Sequence, residues 1–316
     1  ADILAVNNLT ISANSLDNSD TIKSFNSATI NTDYITNQAL IFAANDSQIT
    51  ANISLTNSGN ILGNSKLNLA SALTNNSGEI FSEDELTLHL TSLLSNSGAI
   101  SSANNLVLNS SSDITNSNQI LGSKNLTITA ASLENLSKIS AQADLEINAG
   151  EITNSSSMQS GEDFTITSNS LINAENSLIL SSGNLAITSS FIFNQNTKPT
   201  DSLITSGLVS SAGNVSLTAD YLDNTSGFVT GGSIDLQALN NSSVDLVNDS
   251  GSFFSTVAIL LNLGDLDYTL TGEVTASNID ITANNITNLG NVTASDYIKL
   301  NAAENIKNGQ AGADNS

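Results

Sequence analysis

An apolar residue followed two positions later by Asn recurs about every twenty residues along this chain, and that repeat restricts its possible folds more than any other feature. Leu55, Leu73, Leu94, Ile114, Leu133, Ile152 and Leu171 lead successive repeats, with spacings from 18 to 21 residues. Each is followed by a second apolar position (Ile61, Ile80, Ile100, Ile120, Ile139, Met158, Ile179) and then by an apolar-x-apolar pair such as Leu67-Asn68-Leu69 or Leu126-Thr127-Ile128. The recurring Asn positions are Asn18, Asn37, Asn57, Asn75, Asn96, Asn116, Asn135, Asn154, Asn173, Asn194, Asn224, Asn288 and Asn308.

The apolar stretches are too short for helices. Their period of two describes strands with one buried face. Asn68, Thr87, Thr127, Glu146, Thr165 and Asp280, between the paired apolar residues, then point to water. Asn, Gly and Ser fill the corners, where turn conformations are needed, and the single proline, Pro199, leaves the ladder donors intact. One such turn cannot bury its own apolar face, so the turns must stack. The expected fold is all-β: a single right-handed parallel β-helix, or β-solenoid, of about 16 turns of 18–21 residues, its hand taken from the general preference of parallel connections. At the usual strand spacing this is a monomeric rod about 70 to 80 Å long. The Asn side chains form a column in which each amide bonds the next along the axis; Leu there loses the ladder and Asp stacks like charges.

Two stretches break the rhythm within a chain read as one β-helix over 1–316. Residues 195–207, including Lys198-Pro199-Thr200-Asp201, read as a loop inserted between turns. Residues 239–273 form an apolar, irregular interruption: Leu246 with Asn248 fits the frame, Tyr268 stands where Asn is expected after Leu266, and 253–261 is the most apolar run in the chain. One reading makes this run a flap or enlarged turn that buries itself; the other makes it a docking surface with Phe253, Phe254, Lys198 and Pro199 as partner contacts. Both ends of the chain read as the middle of a repeat, as in a fragment of a longer array.

Composition removes several functions. Net charge is −23, the seven basic residues are all Lys, and no basic stripe exists, which excludes nucleic acid as a partner and disfavours an anionic membrane surface. Absence of Cys excludes disulfides and thiolate metal sites. His89 is the only histidine and has no converging partners, so it reads as a surface residue. Glu83-Asp84-Glu85 and Glu162-Asp163 invite a calcium or acid–base reading, but charge runs at corners are usually solvated faces. No catalytic residue, metal or cofactor is expected.

The recurring Leu-x-Asn-x-Gly-x-Ile followed by Leu-x-Leu, as in 55–69 and 94–108, resembles the haemagglutinin repeats of filamentous haemagglutinin-type exoproteins, over most of the chain from about Leu9 to Asn308. That resemblance implies a large secreted protein of a Gram-negative outer surface, exported by an outer-membrane secretion partner. It implies a rigid filament that presents a receptor-binding or toxic portion to a target-cell receptor or matrix component. Three roles follow: the stick of a contact-dependent growth-inhibition toxin, an adhesin filament for host cells or matrix, or a β-helical carbohydrate-active enzyme. The last is disfavoured by the absence of Arg and Trp.

Overall fold

The strands follow the alternation read from the sequence, and every pairing between them that can be traced is parallel and nearly in register. The computed structural model describes residues 1–199, 205–240 and 243–309. Within these the chain is all-β, without helix, a parallel β-solenoid of about fifteen turns, in line with the expected number. Two compact units divide it, Ala1–Ile152 and Thr153–Ser316.

In the first unit a representative turn consists of strands Leu94–Asn96, Ala99–Ser102 and Leu106–Ser110. Elsewhere the third strand runs into the first of the next turn, as in Leu67–Asn76 and Leu126–Asn135. Stacking places like on like: Leu86 on Leu106 on Leu126, Ile80 on Ile100 on Ile120, and Leu94 on Ile114. These columns are sealed from water, and their burial at roughly 1.5–3 kcal/mol per side chain is the main stabilising term. Residues between them, Asn68, Glu146 and Thr127 among them, face outward, as alternation requires. The corner glycines are dictated by the same stacking. A Cβ on Gly78 would run into the carbonyl oxygen of Gly59 one turn away, and one on Gly98 into that of Gly78.

In the second unit the strands lengthen toward the C-terminus, ending in Glu273–Asn288 and Asn291–Asn308. The 239–273 stretch stays within the coil: strands Asp245–Val247, Ser252–Asn262 and Asp267–Leu270 each pair in parallel with neighbouring turns. Phe253 stacks on Val229 and Val274, in the column that holds Leu208, and is fully buried. The irregularity is one extra residue. Between Ser255 and Ala258 the strand takes three steps where the facing Gly231–Ser233 takes two, so a bulge forms and Val257 is pushed outward. Residues 241–242 of that stretch, and 200–204 of the 195–207 insertion with Thr200 and Asp201, lie outside the described residues.

The buried amide ladder and two outward aromatic surfaces

The Asn column is a continuous hydrogen-bonded file in the first unit. The Nδ2 of Asn18 donates to Oδ1 of Asn37 at 2.7 Å, and the relay continues through Asn57, Asn76, Asn96, Asn116 and Asn135 at 2.7 to 2.9 Å. Each amide also donates to carbonyls around the adjoining corner, as Asn57 does to Gly59 and Glu79, both at 3.1 Å. These groups are buried, so the ladder satisfies donors whose burial would otherwise cost about 1–3 kcal/mol each.

One predicted member is misplaced. Asn76, not Asn75, occupies the slot, and Asn75 is exposed. Thr74 takes the leading apolar position between Leu55 and Leu94, while Leu73 is only half-buried. The strand there is shifted by one residue, which exchanges the two faces. The spacing carried the signal: 55, 74, 94 and 114 is more even than 55, 73, 94 and 114. The substitution leaves the Thr74 hydroxyl buried with no partner among the described residues.

The second unit carries its own file, Asn154 to Asn173 to Asn194 to Asn224 to Asn248, at 2.8 to 3.0 Å. It crosses the 195–207 insertion intact, because Thr197 is drawn into it: its hydroxyl donates to Oδ1 of Asn194 at 2.9 Å and accepts from the Phe228 backbone. Asn248 thus keeps the frame, and there the file stops. Tyr268 fills a leading apolar slot, stacked on Ile286, and Leu270 fills the Asn slot, stacked on Asn288. The expected replacement of Asn by Tyr268 is therefore wrong by two residues. The Nδ2 of Asn248 and the hydroxyl of Tyr268 are both buried without a hydrogen-bond partner among the described residues, and burial pushes the Tyr268 hydroxyl pKa far up. Asn288 donates to Asn308 at 2.8 Å in an exposed pair.

A column of small residues, many of them Ser, escaped the sequence reading. Two residues after the buried Ile, Met or Leu of the second strand stands a small residue: Ser24, Ala43, Gly63, Ser82, Ser102, Gly122 and Ala141 in the first unit, and Ser160, Ser181 and Ser210 in the second. Its hydroxyls tie corner carbonyls, as Ser181 does to Asn184 at 2.8 Å and Ser210 to Gly183 at 2.6 Å. The signal was present as an unbroken run of small residues at fixed offset from the Ile column.

Of the residues expected to contact a partner, Phe253 is excluded by its burial, whereas Phe254 faces outward and is 43% exposed. Lys198 is held by Glu273, Nζ to Oε2 3.0 Å, and Pro199 is half-buried. His89 is exposed, stacked between Ala70 and Asn109. The acidic corners brace neighbouring turns: Asp84 accepts from the Asn104 amide at 2.9 Å, and Asp163 from the Asn184 backbone at 2.7 Å. No cluster of three or more metal-ligating side chains occurs among the described residues.

Two outward surfaces hold aromatic rings. In the first unit Lys23, Phe42, Leu62 and Phe81 succeed one another on one outward column, and the Lys23 ammonium lies 4.6 Å from the Phe25 ring and 4.9 Å from that of Phe42. In the second unit Phe191 stacks on Tyr221, and Ile172 on Phe193 on Asp223. The Tyr221 ring lies 5.6 Å from Phe193 and 6.4 Å from Phe191. Burial, and then the charges of Asp223 and Asp245, push the Tyr221 hydroxyl pKa up.

The fold and its interior define the class: a parallel β-solenoid whose turns are joined by a buried amide file. The model of the haemagglutinin repeat matches four overlapping stretches, residues 4–92, 81–145, 125–190 and 180–267, and the chain belongs to that family. No curated protein and no solved structure matches the chain. The family makes it a segment of a filamentous, adhesin-like exoprotein.

Proposed function

We propose that this chain is a non-catalytic, rigid filament segment of a large secreted exoprotein on a bacterial outer surface, and that it holds a receptor-binding or toxin-bearing region out toward a target cell. The observation that carries this reading is the pair of buried amide files. They commit interior polar groups to stacking turn on turn, the chemistry of a part whose task is to extend. The whole protein then needs an outer-membrane secretion partner for export and a receptor or matrix component on the target.

In a solenoid each turn contacts only its neighbours, so whole turns can be removed in register. Deleting 58–96 from the full-length protein joins Asn57 to Ser97 and restacks Asn57 on Asn116. A spacer keeps target-cell attachment, with shorter reach. Loss of attachment in a deletion variant that still folds and reaches the surface would overturn the proposal. Killing by the attached cells assigns the toxin-delivery branch, and attachment without killing assigns the adhesin branch.

A further inference from the structure

The two aromatic surfaces differ in one respect. In the first unit the rings already hold a cation, since Lys23 sits over Phe25 and Phe42 at the distance of a cation–π contact. In the second unit no such contact occurs among the described residues. The two outward columns there run Ser170, Phe191, Tyr221, Asp245 and Ile172, Phe193, Asp223, Val247, and neither contains a Lys. Phe191 is 49% exposed and Ile172 40%. Asp245 is exposed at the edge, and Asp223 is fixed beside the rings: one oxygen accepts from the Thr225 backbone at 2.9 Å, the other from the Gln195 amide. The surface joins electron-rich ring faces to two carboxylates on a chain whose net charge is −23.

We infer that the surface formed by Ile172, Phe191, Phe193 and Tyr221, edged by Asp223 and Asp245, binds a cationic side chain, Arg or Lys, presented by a peptide segment of a partner protein. The rings supply the face that a guanidinium or ammonium stacks on, and the carboxylates supply the counter-charge at its edge. A lipid headgroup cation fits less well, because its phosphate would meet the same carboxylates. The inference goes beyond the spacer reading, since it gives one position of the filament a contact of its own, and it stands whichever region the filament carries.

The test uses the whole chain and the peptide Gly-Arg-Gly-Arg-Gly, titrated calorimetrically at about 150 mM salt, where the Debye length of about 8 Å suppresses attraction to remote charge. Wild type should prefer this peptide over Gly-Ser-Gly-Ser-Gly. The double variant Phe191→Ser/Tyr221→Ser should lose about tenfold in affinity, Asp245→Asn about threefold, and Phe42→Ser, on the other surface, nothing. Asp245 is exposed, so its variant remains informative if the double variant fails to fold. Equal affinity for the two peptides, or equal Arg-peptide binding by wild type, the double variant and Asp245→Asn, would overturn the inference. Binding of a neutral trisaccharide that is lost in the double variant, with no Arg preference, would also overturn it and mark the surface as a sugar platform.

Discussion

The amide file of the first unit runs unbroken from Asn18 to Asn135, whereas that of the second ends at Asn248 against a turn carrying Leu270 in the amide slot. The corners differ as well. In the second unit Asn176, Asn196, Ser226 and Ser250, in the corners after the ladder Asn residues, have positive φ, and no residue of the first unit does. Ser226 and Ser250 carry the cost of about 1 kcal/mol or more that a left-handed backbone imposes on a side chain. The difference shows what a ladder requires. Each amide also depends on the amide of the next turn, and where that turn carries Leu270 the Nδ2 of Asn248 is left without a partner among the described residues. Both units hold strand irregularities and buried polar atoms without a partner among the described residues, so the contrast lies in the file itself: the first unit repeats one amide pair from turn to turn, and the second carries its file across an insertion and then loses it at Leu270.

The largest effect should come from breaking the regular part. Leu126→Asp places an unpaired charge in a sealed column and should cost about 3–5 kcal/mol in urea unfolding. Asn116→Asp, which buries a carboxylate between two amides, should approach that, whereas Asn125→Asp, at an exposed corner, should change stability by less than about 0.5 kcal/mol. Equal midpoints for the two Asn variants would remove the ladder from the account.

Mending the interrupted file separates the slots of the second unit. Leu270→Asn gives the Asn248 amide an acceptor and offers a donor to Asn288, which should offset most of the lost apolar burial and leave stability within about 1 kcal/mol. Leu222→Asn, the same change in a fully buried leading slot, should cost about 2–4 kcal/mol. If both variants lose stability alike, the slot occupied by Leu270 is no longer an amide site. Tyr268→Phe should stabilise by about 1 kcal/mol, because it removes a buried hydroxyl without a partner; a lower urea midpoint would mean that the hydroxyl has one.

The smallest effect concerns the pinned insertion. Lys198, and then Ser252, hold the Glu273 carboxyl below its usual value of 4.5. A carboxylate with a depressed folded pKa contributes stability above its ordinary value and loses it as pH falls through the lowered one. The pair is solvent-screened, so Lys198→Met should cost at most about 0.5 kcal/mol at pH 7, and that difference should vanish as acid protonates Glu273. A difference that persists at low pH would place the effect in packing of the Lys stem.

By itself the sequence determined the repeat, the strand alternation, the lack of Cys and of a basic stripe, and all but one of the assigned Asn positions. These follow from composition and from side-chain periodicity, which is local information. Only the tertiary structure decided between Asn75 and Asn76, because a one-residue slip exchanges core and solvent faces and the neighbouring turns determine which face meets the interior. Only stacking could place Phe253 in the core, since a run apolar on both faces has no alternation to read. Stacking also set Leu270 in the amide slot and brought Phe193, Tyr221 and Asp223 onto one surface across the 195–207 insertion. Such contacts belong to pairs of turns, and no single repeat contains them.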